Sequence, residues 1–245
     1  MSLQLLRLQP DATALALWAT RHRLLSPDGD YGYALHALLR AAFGDLAPKP
    51  FRHLGGRQGL LAYTSADLGM LRLNASLAPP DVARALGLDH LDARPFPNAW
   101  QAGQRLGFEA RIRPVVRGKD GRERDAYLRA VEGTGDTGQT AGNGSIAERT
   151  AIYSDWLAQQ FGFDGAAQLA EAQLDAFRLT RVLRKAGSGD NGNRKTTNNA
   201  GPDVVFKGQL QVGDPTAFNR LLERGVGRHR AFGFGMLLLR PVRPC

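Results

Sequence analysis

Cysteine is almost missing: the only one among 245 residues is Cys245, at the end. A lone thiol excludes an internal disulfide and a cysteine-built zinc site. A reducing, cytoplasmic compartment is the simplest setting for such a chain. Long apolar runs are lacking too. No stretch of eighteen uncharged apolar residues occurs, so no membrane-spanning helix is expected. The Leu/Ala/Arg-rich start could serve as a transit peptide, but Pro10 and Asp11 break its short apolar run and argue against that. The five histidines (His22, His36, His53, His90 and His229) are scattered, without HExxH spacing or a paired carboxylate cluster, so no metal is expected. The GxSxG elbow of serine hydrolases is absent. "GSGDNG" (187–192) echoes a calcium loop but lacks its ligand spacing and closing Glu.

Acidic residues are scarce where basic ones gather. Net charge is +9, of which residues 1–100 carry +2 and residues 101–245 carry +7. Such a bias suits a polyanion, with nucleic acid the leading case and a basic protein without such a partner the alternative. Residues 178–195 hold Arg178, Arg181, Arg184, Lys185, Arg194 and Lys195 against Asp190 alone. Residues 220–243 hold six arginines against Glu223. A solvated helix face normally interleaves acids with bases, so these stretches favour a surface that tracks a phosphate backbone.

The apolar share of 43% supports a packed core of one or two domains. "LQLLRLQ" (3–9) predicts a strand, and Asp11 caps a helix over about 12–24. "DYGYALHALLRAAFG" predicts a helix capped by Asp30 and stopped by Gly44, with Leu35, Leu38, Leu39 and Ala42 as its buried stripe. "GLLAYTS" (59–65) and "GMLRLNAS" (69–76) predict two strands joined by a tight turn, and residues 79–89 a helix. "RPFPNAW" (94–100) is the expected linker. In the second half, 104–116 and 203–213 alternate as strands. Helices are expected over 148–162 and 214–225, and "GFGMLLLRPV" as a final strand. Residues 133–145 and 188–202 are expected to be polar loops. Both halves follow a βαββαβ-like order. The expected fold is α+β: two tandem ferredoxin-like (RRM-like) domains with antiparallel sheets, at residues 1–95 and 101–245.

Two constellations could carry chemistry. Tyr33, His36 and Arg40 form a stripe on the expected helix turned away from the aliphatic one. Imidazole titrates near neutrality and can take or give a proton, which suits RNA scission by an attacking 2′-hydroxyl. A histidine that is merely packed or solvated is the plain alternative. The second constellation is "GVGRHRAFGFGMLLLRP" (225–241), with Gly225, Gly227, Gly233 and Gly235 around Arg228, His229 and Arg230. A dinucleotide fingerprint needs a strand before its glycines and a helix after, and here the order is reversed. No Lys-Ser/Thr pair follows, so it is not a P-loop. What remains is a loop whose exposed amides permit a close approach of another backbone, or a turn that only packs tightly.

"FKGQLQVGDPTAFNRLLERGVGRHRAFGFGMLLLRP" (206–241) resembles the C-terminal signature of the CasE family, the CRISPR-associated endoribonucleases of the type I-E Cascade complex. "YALHALLRAAF" (33–43) resembles that family's N-terminal helix, and "FEARIRPV" (108–115) the strand opening its second domain. The resemblance implies an enzyme that binds the repeat hairpin of precursor CRISPR RNA and cuts at its base without metal or other cofactor. It would leave a 2′,3′-cyclic phosphate and a 5′-hydroxyl, then stay bound beside other Cascade subunits. It implies that His36 is the general acid/base and that Tyr33 orients or stabilises the scissile group. RNA contacts would come from Arg40, Arg111 and Arg113, from the 178–195 basic residues, and from the glycine-loop residues. A non-catalytic CRISPR RNA hairpin-binding subunit is the second reading, and a small-molecule enzyme with a phosphate-gripping loop the third. Residues 11–29 are longer than the family pattern leads one to expect, and the 133–145 loop is unusual.

Overall fold

The structure is a computed structural model that describes residues 3–133, 145–185 and 196–242. The chain falls into two compact units. The first comprises Met1–Asn98 with Thr180–Ala200 and His229–Gly233. The second comprises Ala99–Leu179, Gly201–Arg228 and Phe234–Cys245. Two stretches of the chain's second half, 180–200 and 229–233, therefore group with the first unit.

The first unit runs β1 (Gln4–Leu8), α1 (Ala12–Arg21), α2 (Gly32–Phe43), β2 (Phe51–Gly55), β3 (Gly59–Thr64), α3 (Leu68–Ser76), α4 (Pro80–Leu86) and β4 (Asp92–Pro95). The sheet order is β2-β3-β1-β4, antiparallel throughout. Leu6 and Leu8 of β1 and Leu60 and Ala62 of β3 turn the same way and meet Leu35, Leu38, Leu39 and Phe43 of α2 and Val82, Ala85 and Leu86 of α4. The two periodicities agree: every second residue of the strands and every third or fourth of the helices reaches one core. Gly87 ends α4 in the left-handed region at φ +63°, and a Cβ there would strike the Gln9 carbonyl, so glycine is required twice over.

The second unit runs β5 (Arg105–Ile112), β6 (Val115–Arg117), β7 (Glu123–Asp125), α5 (Ala126–Gly133), α6 (Ile146–Gly162), β8 (Ala167–Lys185), β9 (Thr196–Val212), α7 (Pro215–Arg224) and β10 (Leu237–Pro241). Its main sheet has the order β10-β5-β9-β8. Counting strands within each four-stranded sheet, both sheets follow the same 4-1-3-2 arrangement, which is the ferredoxin-like order the sequence predicts. Phe108 of β5 meets Phe161 of α6 edge to face at 5.3 Å, and Phe206 and Phe218 are also fully buried. A Ser145–Glu148 capping box opens α6, and Asp214 caps α7 through the Ala217 amide.

Some expectations fail. Residues 69–76 are helix α3, not a strand: Asp67 accepts from the Met70 amide at 2.9 Å and starts a helix. Leu68, Leu71 and Ala75 then recur at helical spacing against the core. Strand β3 pairs instead with β1 on one side and with β2 on the other, where the register slips between His53 and Gly55. Helix α2 begins at Gly32 rather than just after Asp30, and Tyr31 occupies the cap position. Helix α1 stops at Arg21. Strand β4 runs into the expected linker as far as Pro95. Of the expected loops, 134–144 and 188–195 lie outside the described residues, whereas 196–202 are not loop but the start of strand β9.

Candidate functional site

Helix α2 buries Leu35, Leu38, Leu39 and Ala42 and leaves Tyr33 and His36 half-buried and Arg40 exposed. The start of the helix is fixed by Asp30, whose carboxylate accepts from the Gly32 amide at 2.8 Å. That turn lies against the segment His229–Gly233. A Cβ on Gly32 would collide with the Phe232 carbonyl oxygen, so only glycine lets the two backbones come this close.

The segment places Phe232 beside both expected site residues. Its ring lies 5.7 Å from that of Tyr33, nearly parallel at 22°, and 5.4 Å from that of His36, edge-on at 80°. The Tyr33 and His36 rings are 6.2 Å apart at 63°. His229 takes a left-handed backbone at φ +61° and opens a single 3₁₀ turn over Arg230–Phe232, and the Phe232 amide donates back to the His229 carbonyl at 2.8 Å. Among the described residues, no hydrogen bond engages the His36 ring nitrogens or the Tyr33 hydroxyl. Burial lowers the His36 pKa below its ordinary 6.5, and the positive charges of Arg40 and Lys49 lower it further. The imidazole is therefore largely neutral at neutral pH and can accept a proton. Arg40 also pairs with the exposed Asp45 at 2.8 Å, a surface ion pair of little energetic weight.

The rest of the glycine loop belongs to the second unit. Gly225 ends α7 by donating to the Leu221 carbonyl at 2.7 Å. The Val226 amide donates to the Gly235 carbonyl at 2.8 Å, and the Gly235 amide to the Arg111 carbonyl at 2.7 Å, which ties the loop to β5. Gly225, Gly227, Gly233 and Gly235 all have positive φ. Gly227 also lies against Trp156, whose ring a Cβ would meet at 2.5 Å. Arg228 donates to Glu123 at 2.6 Å and stays partly exposed.

Two of the arginines expected at RNA, Arg111 and Arg113, are interior. Arg111 grips Asp203 with two bonds of 2.7 Å, and its guanidinium lies 4.3 Å from the centre of the Phe234 ring. Arg113 is 2% exposed and packs beneath Gly201, where a Cβ would lie 2.7 Å from its guanidinium. The alternation of apolar and basic residues in β5 promised a half-exposed strand, but the carboxylate of Asp203, 92 residues along the chain, neutralises Arg111 inside. Arg178 joins them, donating to Asp203 at 2.7 Å while keeping an exposed side chain. Burial alone would raise the Asp203 pKa, but Arg111 and Arg178 overcome it and hold the carboxyl below the usual carboxylate range. Arg181 binds Asp28 through its backbone amide at 2.7 Å and its guanidinium at 2.9 Å. Arg184 and Lys185 end β8, while Arg194 and Lys195 lie outside the described residues.

A second buried polar cluster escaped the sequence reading. Tyr153 of α6 donates to both oxygens of Asp125 at 2.9 Å, and Arg149 stacks on Tyr127 at 4.0 Å. Burial raises the Asp125 pKa against the pull of its partners. Phe232 was missed as well, although it lies inside the glycine motif. Among the described residues no group of three or more His, Cys, Asp or Glu could hold a metal ion, and no helix is long and apolar enough to cross a membrane.

Comparison with known proteins adds the following. A family model described as "CRISPR associated protein" matches residues 2–241. Thermus thermophilus Cse3, solved with an RNA representing a pre-cleavage complex, superposes with a TM-score of 0.64 at 21% identity, covering 98% of this chain and all of that one. Cas6e of Escherichia coli K-12 superposes with a TM-score of 0.54 at 19% identity, covering 99% of this chain and all of that one. A chain of a CRISPR RNA-guided surveillance complex in a pre-nicking state gives a TM-score of 0.52 at 16% identity, covering 98% and 100%. No curated protein matches the sequence.

Proposed function

The chain belongs to the CRISPR-associated protein family whose model spans it, and from that premise we propose that it is a metal-independent endoribonuclease of the CasE kind. It binds the repeat hairpin of precursor CRISPR RNA, cuts at the hairpin base, and stays bound as a subunit of Cascade in the cytoplasm. The observation that carries this reading is His36: half-buried, kept neutral by burial and by nearby cations, with no hydrogen bond on its ring among the described residues, and one helical turn from Tyr33. RNA in the Cse3 structure and the surveillance-complex setting of another structural match support the substrate and the partners.

The chemistry needs no co-reactant. His36 takes the proton of a ribose 2′-hydroxyl as that oxygen bonds to the adjacent phosphorus. The bond from phosphorus to the 5′-oxygen breaks, and that oxygen receives a proton from the imidazolium so formed or from water. The products are a 2′,3′-cyclic phosphate and a 5′-hydroxyl. Tyr33 holds the scissile group in line or hydrogen-bonds the charge that builds on the phosphorane. Residues 1–95 supply the reacting helix, and residues 101–245 supply the basic segments. Arg178, Arg181, Arg184, Lys185, Arg194, Lys195, Arg228 and Arg230 meet the RNA backbone. Arg111 and Arg113, being buried, act through the fold alone. An A-form duplex hides its bases in a deep major groove, so a cationic surface reading shape and phosphates suits a hairpin stem.

The test is incubation of the protein with repeat RNA in EDTA. Cleavage should proceed, and His36→Ala should cut about 10²–10⁴-fold more slowly while binding the hairpin as before. A requirement for magnesium, or full cutting by His36→Ala, overturns the mechanism. Binding without any cutting by the unaltered protein leaves the non-catalytic hairpin-binding subunit.

A further inference from the structure

We propose that Phe232 is a positioning residue for the reacting pair. Its ring locks the orientation of His36 and Tyr33 and shields the imidazole from water. The proposal deepens the endoribonuclease reading and rests on it.

The geometry is specific. Phe232 presents a face to Tyr33 and meets His36 edge-on, at 5.7 and 5.4 Å, so one apolar side chain constrains two rings that make no hydrogen bond among the described residues. Aromatic pairs of this kind favour particular ring angles over others. The Phe232 backbone is itself fixed. Its carbonyl abuts Gly32, in the first turn of the helix that bears both site residues, and its amide closes the 3₁₀ turn onto His229. The side chain that shields the imidazole is thereby registered to the same helix as the imidazole.

Phe232, its ring 5.4 Å from that of His36, is part of the burial that lowers the His36 pKa. The ionisable groups that bear on it are Arg40 on α2 and Lys49 ahead of β2, with Tyr33 one helical turn before it and His229 beside the same Phe232 ring. Arg40 and Lys49 both disfavour the imidazolium, and the nearby carboxylate of Asp45 is bound by Arg40. With Arg40 and Lys49 as the charges that act on the ring, removing its apolar cover lets water reach and solvate the protonated form.

The test pairs two readouts on Phe232→Ala and Phe232→Leu. Imidazole NMR of the RNA-free protein follows the His36 titration. In the unaltered protein the midpoint should lie below 6.5; Phe232→Ala should raise it toward that value, and Phe232→Leu, still apolar, should hold it near the original. Single-turnover cleavage of repeat RNA should fall about tenfold or more in Phe232→Ala with the acid limb moved up in pH, while hairpin affinity stays within about twofold. Phe232→Leu should recover much of the rate. If Phe232→Ala does not fold, Phe232→Val leaves a smaller apolar cover and should shift both readouts in the same direction. An unmoved titration and acid limb, or equal losses in the two variants, overturns the proposal. So does an affinity loss that accounts for the rate loss, which would make Phe232 a base-stacking residue. If the unaltered protein fails to cut, the nuclease reading falls while the titration still decides whether Phe232 governs His36.

Discussion

The polar residues of the second unit and those of helix α2 in the first use their functional groups in opposite ways. Around β5, the buried Arg111 and Asp203 engage one another, and Tyr153 and Asp125 do the same. On α2, His36 and Tyr33 keep their polar atoms unengaged among the described residues and touch only rings. A buried charge needs a partner or it is expelled, so saturation marks the residues that build the fold. Polar groups left unsatisfied beside an apolar wall mark those held ready for something else. Composition cannot make this distinction, because Arg111 and Arg181 count equally in a net charge.

The largest effect should come from breaking the saturated side. Asp203→Ala leaves the Arg111 guanidinium buried without its counter-ion, which should cost about 3–5 kcal/mol in chemical denaturation. A loss below about 1 kcal/mol would mean that the pair is not built as the distances indicate. The pH dependence follows the same pair. Its carboxyl titrates below the usual range, so the stabilisation is full above the ordinary carboxylate value and is lost as pH falls through the lowered one.

Crowding the ready side comes next. Gly32→Ala pushes against the Phe232 backbone rather than a movable side chain, and should destabilise by about 1–3 kcal/mol while disturbing His36. Equal stability and unchanged cleavage would show that this approach is loose. A milder change sharpens the contrast without disrupting packing. Arg40→Gln removes one of the cations that disfavour the imidazolium, so the acid limb of cleavage should move to higher pH; movement to lower pH would contradict the charge arrangement. The smallest effect is in salt dependence. Neutralising Arg184, Lys185, Arg194 and Lys195 should flatten the slope of log affinity against log salt by up to about one for each phosphate left without its cation, and an unchanged slope removes that stretch from the RNA surface.

What the sequence disclosed and what it hid follow the same physics. Helix α2 was legible because its aliphatic stripe and the glycine at its end are local signals, and the offset of Tyr33 and His36 from that stripe is plain arithmetic on a 3.6-residue turn. The ferredoxin-like order was legible from the alternation of strands and helices, although β2 was missed and α3 misassigned. Strand β2 is five residues long with an irregular pairing, and α3 buries only Leu71 fully, so neither has much period to read. The burial of Arg111 was not legible, because its partner is 92 residues away. Phe232 stayed hidden for the same reason: nothing in "RHRAFGFG" says which element its ring will meet.

The left-handed backbone of His229 carries its own evolutionary consequence. Glycine, asparagine and aspartate visit that conformation readily, whereas β-branched side chains resist it. A randomised library over residues 228–232, selected for folding alone, should therefore return Gly and Asn at 229 freely and reject Val and Ile. The imidazole standing there now would then be a tenant of a backbone bend that shorter polar residues could equally occupy.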